Sequence, residues 1–289
     1  ISISVPPGNC ISSVDFPSTG MDRAGGSGDC AGVVRWADCN HQHSGGYLGG
    51  RYLSSKWDGM FAEYFKVPDV DLNVAKIPDG VSLEAAALVG DMVTTGFHGV
   101  ELADVKFGDR VCVIGIGPVG LMSVVGCVLR GAAEIYAVGH RPVTRELAMQ
   151  YGATATIDYH DGPIVEQVMK LTGGQQIEKV IIAGGEPTVF NDALALVKYT
   201  GTVANLAGHG RTELLLPIYT NESGFGFCAH KTVTGGLCPG GRRRIERLMG
   251  MVKAGRFEPE KLITHRFYGL DGIEEAFDLM KSKNPEVIK

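Results

Sequence analysis

The run Val111–Leu129 constrains this chain more than any other stretch: it carries no charge, is bracketed by Arg110 and Arg130, and is broken near its start by Gly115-Ile116-Gly117-Pro118-Val119-Gly120. Val111-Cys112-Val113-Ile114 reads as a short buried strand, and Leu121–Leu129 as an apolar helix. A strand entering a glycine-rich turn that opens a helix is the order a dinucleotide-binding βα unit requires. Gly115 permits a tight turn, and Gly117 lets backbone approach a pyrophosphate that a Cβ would push away. Gly120 lets helix and strand pack closely, and the helix N-terminus offers free N–H groups and a favourable dipole to the phosphates. The competing reading is a membrane span, which needs about 20 apolar residues. A Gly-Ile-Gly-Pro turn inside the run, and the strand–helix repeats after it, argue against that span.

The alternation downstream is regular. Glu134–Val138, Thr154–Ile157, Lys179–Ala183, Gly201–Asn205 and Thr232–Thr234 read as strands. Thr144–Tyr151 (closed by Gly152), Pro163–Leu171 and Val189–Val197 read as the intervening helices, the second with Ile164, Val168 and Leu171 on one face. With Val111–Ile114 this makes six strands joined mostly by helices, which predicts an α/β fold with a doubly wound parallel sheet. Upstream, Ile1–Asn40 is rich in Ser, Gly, Pro and Asp and shows no sustained period, so no structure is assigned beyond a possible strand piece at Val33-Val34. Met60–Val67 alternates like a strand, Ile77-Pro78-Asp79-Gly80 is a turn, Ser82 caps a helix through Ala87, and Gly90–Gly96 starts another that ends before Lys106. The tail predicts a helix over Arg243–Ala254, a strand near Leu262–Thr264 and a helix over Ile273–Ser282.

A chain of 289 residues holds one large or two ordinary domains. Its net charge of −5 gives no reason to expect nucleic acid or an anionic membrane as a partner. Seven scattered cysteines and no signal peptide point to reduced thiols and a cytoplasmic setting, and the absence of an initial Met suggests a fragment.

The second strand of the βα unit runs into Gly139-His140-Arg141, where an NAD-preferring site would carry Asp or Glu. Arg141 supplies a positive fork suited to a 2′-phosphate, and the Tyr159 hydroxyl is placed to join it; NADP(H) is the expected cofactor, against a plain surface arginine. Cys39, His41 and His43 alternate like metal ligands, yet a polar loop is the default because zinc sites draw three or four ligands from separated segments. Asp91 is a ligand or a helix N-cap, with the cap favoured by sequence alone. Arg242-Arg243-Arg244 with Arg247 reads as the solvated face of a helix start.

From His41 to Lys289 the chain resembles the zinc-containing, NADP-dependent secondary alcohol dehydrogenases of the medium-chain family. The resemblance is carried by HQHSGG at His41, LEAAALVGDMVTTGFHG at Leu83, GIGPVGLM at Gly115, AVGHRPV at Ala137, IIAGG at Ile181 and AHKTVTGGLCPGG at Ala229. It implies a Rossmann domain over 95–237, with a GroES-like, mainly β catalytic domain over 1–94, incomplete at its N-terminal part, and a return to that domain over 238–289. It implies that Gly115, Ile116, Gly117, Pro118, Val119 and Gly120 hold the pyrophosphate, and that Gly139, His140, Arg141 and Tyr159 hold the adenosine 2′-phosphate. Leu206, Ala207 and Gly208 would line the nicotinamide, and Lys283 would reach the cofactor. Asp91 would be one of three ligands to a catalytic Zn2+, the substrate a small alcohol or ketone, and the assembly a homotetramer.

The chain departs from the family at three places. The family's cysteine ligand and its Gly-His-Glu histidine have no match here, so zinc is expected to bind poorly and turnover to be slow. Arg51 stands where a tryptophan usually lines the substrate pocket, and the final apolar strand is missing after Lys289. A non-catalytic NADP(H)-binding protein is therefore the alternative reading, with a methyltransferase a distant third.

Overall fold

The computed structural model describes residues 10–12, 61–64, 74–210, 213–214 and 230–289. They fall into two compact units, one formed by Ile1–Thr94, Cys238–Val287 and Lys289, the other by Thr95–Leu237 and Ile288.

The second unit is a six-stranded parallel sheet flanked by helices. Its strands are β3 (Arg110–Ile114), β4 (Glu134–Val138), β5 (Ala155–Ile157), β6 (Ile177–Ile182), β7 (Val197–Asn205) and β8 (Thr232–Gly235). They lie in the order β5-β4-β3-β6-β7-β8, every neighbouring pair parallel. The order reverses between β3 and β6, and ligands of such sheets bind beyond the carboxyl ends of the strands at that reversal. The helices are α2 (Thr94–Leu102), α3 (Pro118–Leu129), α4 (Pro142–Gln150), α5 (Ile164–Leu171) and α6 (Val189–Leu196).

Both faces of the sheet are covered, which is why Val111–Ile114 of β3 and Val180–Ile182 of β6 are apolar without alternation. Cys112, Ile114, Val180 and Ile182 pack on one face with Ile164 and Val168 of α5 and Val189, Ala193 and Leu194 of α6. Helix α3 is buried from Gly120 to Cys127, so it has no polar stripe. It touches α2 closely: Ser123 Oγ donates to the Gly96 carbonyl at 3.0 Å, and a Cβ on Gly126 would stand 2.9 Å from Val100. The expected face of α5 holds at Ile164 and Val168, but Leu171, the last residue of the helix, is half exposed. No helix among the described residues is long and apolar enough to cross a membrane.

In the first unit, Cys10–Ser12 (β1) pairs antiparallel with Val74–Lys76 (β2), so a strand exists inside the stretch whose sequence shows no period. Ser82 caps α1 (Leu83–Leu88) as expected, its Oγ accepting from Ala85 N at 3.0 Å. Three expectations are corrected. Phe61–Tyr64 are bends, with Tyr64 almost fully exposed, rather than part of a strand. The strand near Leu262–Thr264 is a 3-10 turn, Pro259–Leu262: Pro259 starts it, Leu262 is buried, and Thr264 N donates to the Lys289 carbonyl at 2.9 Å. The arginines opening α7 (Arg242–Lys253) are not only a solvated face. Arg242 Nε donates to the Val74 carbonyl at 2.6 Å, and Arg244 Nε to Thr94 Oγ1 at 3.1 Å. The last helix, α8, spans Ile273–Lys281.

Candidate functional site

The sequence between β3 and α3 builds the site at the reversal point. Gly115 takes φ +91°, a conformation that suits glycine, and the N–H groups of Gly115 and Ile116 both donate to the Val138 carbonyl, at 3.0 and 3.2 Å. Two loops meet there: Ala183 N donates to the Ile114 carbonyl at 2.8 Å, and a Cβ on Gly115 would lie 2.6 Å from Gly184 N. A Cβ on Gly120 would fall on the Gly115 carbonyl oxygen, so that glycine is required by packing.

Gly117 is different. It caps α3 in extended conformation, Pro118 holds the first helical position, and the first turn closes with Leu121 N on the Gly117 carbonyl at 2.9 Å. A Cβ on Gly117 would meet nothing nearer than Arg141 Nη2 at 4.0 Å. The turn is thus a cradle open at the helix N-terminus, with a guanidinium leaning over it. That donor set fits a dinucleotide pyrophosphate with an added phosphate close by.

Gly139, His140 and Arg141 follow β4 directly. Gly139 is buried, and a Cβ there would run into the Ile116 side chain. Arg141 is half-buried, and desolvation lowers its pKa while the Tyr159 hydroxyl opposes that shift. Tyr159 Oη lies 2.6 Å from His140 Nδ1, the two rings edge to face at 5.2 Å. The structure therefore brings together the glycine turn, Gly139, His140, Arg141 and Tyr159. It also adds three residues that sequence reasoning passed over. The His160 ring lies tilted by 40° against Tyr159, centroids 4.4 Å apart, its Nδ1 2.9 Å from Asp158 Oδ1, and Arg145 Nη1 reaches Asp158 Oδ2 at 3.3 Å. The signal available was Asp158-Tyr159-His160 sitting just past β5, next in the sheet to β4.

Leu206, Ala207 and Gly208 follow β7 on the same carboxyl side. Leu206 N donates to the Ile182 carbonyl at 2.8 Å, Ala207 is held by the Asn205 amide, and Gly208 is exposed. A Cβ on Gly99 would stand 2.5 Å from Leu206, so α2 backs this strand end.

Asp91 and Lys283 belong to the first unit. Asp91 is not an N-cap: it sits inside a π-helical stretch, Val89–Val93, that continues α1 into α2 without a break. Such wide turns often mark functional positions. Lys283 lies just past α8 with φ +52°. Among the described residues no three His, Cys, Asp or Glu side chains cluster as a metal site, so the donors present there do not by themselves complete one. Cys39, His41, His43, Val33-Val34 and Arg51 lie outside the described residues.

Comparison with known proteins agrees with this geometry. A family model described as zinc-binding dehydrogenase matches residues 118–253. The chain is 52% identical over 249 residues to the NADP-dependent isopropanol dehydrogenase of Thermoanaerobacter brockii, covering 86% of this chain and 70% of that protein. With the enzyme of the same name from Clostridium beijerinckii the identity is 50%, at the same coverage. Among solved structures, zinc dependent alcohol dehydrogenase 2 from Streptococcus pneumonia superposes with a TM-score of 0.70 at 29% identity, over 80% of this chain and 64% of that one. For 2R,3R-butanediol dehydrogenase from Bacillus subtilis the TM-score is 0.69 at 26% identity, over 86% and 69%. Alcohol dehydrogenase TADH from Thermus sp. ATN1 gives 0.68 at 27%, and this chain spans 64% of its length. By sequence and by fold, the chain belongs to the zinc-binding, medium-chain alcohol dehydrogenase family of oxidoreductases.

Proposed function

We propose that this protein interconverts secondary alcohols and ketones with NADP(H), on a small substrate of the size its relatives' name, isopropanol dehydrogenase, indicates. The observation that carries the reading is the open cradle at Gly117 with Arg141 over it, at the end of a strand that carries no carboxylate there. Hydride exchange between the alcohol carbon and the nicotinamide is the chemistry the cofactor supplies when bound. The chain's own residues do the rest. The α3 N-terminus and Gly115–Gly120 hold the pyrophosphate, and Gly139, His140, Arg141 and Tyr159 take the 2′-phosphate. Leu206–Gly208 shape the nicotinamide end, Lys283 contacts the cofactor, and Asp91 serves as a zinc ligand. A homotetramer in the cytoplasm completes the proposal. Edge strand β8, paired on one side only among the described residues and largely exposed, is the kind of surface that subunits cover.

A second reading is favoured by one observation, the lack of a three-ligand cluster among the described residues: the chain binds NADP(H) without turning over. Titration with NADP+ and NAD+, zinc analysis and an assay with propan-2-ol separate the two. Tighter NADP+ binding with stoichiometric zinc and turnover supports the enzyme. Tighter NADP+ binding without zinc or turnover supports the second reading, and failure to bind NADP+ overturns both.

A further inference from the structure

The strand order reverses between β3 and β6, so the two halves of the sheet face different ends of a dinucleotide. The glycine turn follows β3 and the Arg141 loop follows β4, which gives the adenosine end to β3–β5 and leaves β6–β8 to the other nucleotide. Beyond β7, in that second half, the backbone of Leu206–Gly208 is tied down. Asn205 Nδ2 donates to the Ala207 carbonyl at 3.0 Å, and Asn205 Oδ1 accepts from Ala207 N at 3.2 Å. One side chain thus engages both polar backbone groups of Ala207, while Leu206 N donates to the Ile182 carbonyl at 2.8 Å.

Side chains hold the segment from both faces of the sheet. Ala207 packs on the cluster that includes Val180, Ile182 and the inner side of α6. Leu206 lies on the opposite face with Ile181, the residue that alternates with those two along β6. There α2 crosses so closely that a Cβ on the buried Gly99 would stand 2.5 Å from Leu206 Cδ1 and 2.9 Å from Ile181 Cγ2. Gly208, by contrast, is exposed, and a Cβ there would meet nothing within 4 Å.

From this arrangement we infer that Gly99 and Asn205 are positioning residues for the nicotinamide half of the cofactor, acting through Leu206–Gly208 rather than by contact with the ligand. The inference rests on the NADP(H) reading above and adds to it the residues that stand behind the site. A methyl group at Gly99 has to displace a neighbour. Ile181 is fully buried in a central strand and has no room to yield. Leu206 is half-buried and meets Gly99 with the free end of a rotatable side chain, so Leu206 is the group that moves. It is pushed away from α2, into the crevice beyond the strand ends where the ring lies. Loss of the Asn205 amide acts on the same segment from within, because it releases both polar groups of Ala207 and lets the loop turn.

The test is titration of the full chain with NADP+ and with adenosine 2′,5′-bisphosphate, which keeps the adenosine phosphates and lacks the nicotinamide nucleotide. Wild type, G99A, L206A, G99A/L206A and N205A are compared. G99A is expected to bind NADP+ about tenfold more weakly, the lower end of what one methylene is worth in an apolar pocket, and to bind the bisphosphate as wild type does. N205A should show the same split. On the L206A background the Gly99 substitution should have no further effect on NADP+, because the side chain it displaces is gone. Three outcomes overturn the inference and leave the cofactor reading standing: unchanged NADP+ affinity in G99A, an equal loss for both ligands, or a G99A loss that persists beside L206A. If G99A does not fold, N205A decides: a loss confined to NADP+ supports the inference, and no loss or an equal loss overturns it. Failure of the wild type to bind the bisphosphate overturns the cofactor reading and this inference with it.

Discussion

Arg110 and Glu178 bind the two strands that meet at the reversal of the sheet. Glu178 Oε2 accepts from Arg110 N at 3.0 Å and from its Nε at 3.3 Å, and Oε1 accepts from Lys198 Nζ at 2.8 Å. The pair joins β3 to β6, neighbours in space that lie far apart in sequence, at the end of the sheet opposite the glycine turn.

Burial opposes the charge on Glu178, but the bonds from Lys198 and Arg110 outweigh it and pull its pKa from 4.5 to about 2. A carboxylate whose pKa is lower in the folded chain stabilises the fold above its unfolded value. That contribution is lost as pH falls from about 4.5 toward 2. Urea unfolding of Glu178→Gln at pH 7 is expected to show a loss of about 1–3 kcal/mol, and the variant should lose less than wild type on acidification. Parallel acid profiles for the two proteins would show that the pair does not govern this titration.

Gly117 and Gly120 separate a ligand requirement from a packing requirement. Gly117→Ala meets open space at an ordinary φ of −74°, so its thermal stability should match wild type or rise by about 0.4–1 kcal/mol. Its NADP+ affinity should fall at least tenfold, about 1.4 kcal/mol, because the Cβ occupies the cradle. Gly120→Ala should instead destabilise the fold by about 1–3 kcal/mol through the clash with the Gly115 carbonyl. Thermal melts and cofactor titration on both variants check the contrast, and a Gly117→Ala protein that binds NADP+ normally would remove the cradle from the argument.

Arg141→Ala should erase most of the preference for NADP+ over NAD+. Losing a charge-assisted bond to phosphate costs about 1.5–3 kcal/mol, and NAD+ binding should barely change. Fluorescence titration with both cofactors reads this directly; an equal loss for each would point to damage at the pyrophosphate instead.

Cys112 and Cys127 are fully buried, and desolvation pushes both thiols far above the ordinary range, with Asp192 and Asp109 adding to it. Since the thiolate is the reactive form, iodoacetamide at pH 8 should leave both unmodified in the native chain and alkylate both in urea. Peptide mass spectrometry distinguishes the two states, and rapid native labelling would mean that β3 opens around Cys112 or that α3 lifts away at Cys127.

Local pattern alone determined the central part of this protein. β3 and the glycine turn follow from uninterrupted apolar residues meeting glycines, and β4 and α6 from runs whose periodicity and boundaries are set by their own residues. The Ser82 cap is likewise written in adjacent positions. Only the tertiary structure decided the rest, because the deciding partners are distant in the chain. Leu262–Thr264 has strand-like residues but no strand to pair with among the described residues, and Leu262 ends a 3-10 turn instead. Asp91 looks like a cap but lies mid-helix, since the chain before it is already helical. Arg242 and Arg244 look solvated until the Val74 and Thr94 backbone is brought beside them. The same holds at the cofactor end: Arg141 and Tyr159 can be chosen by their position after a strand, whereas His160, Asp158 and Arg145 become part of one charged cluster only once β4 and β5 lie side by side.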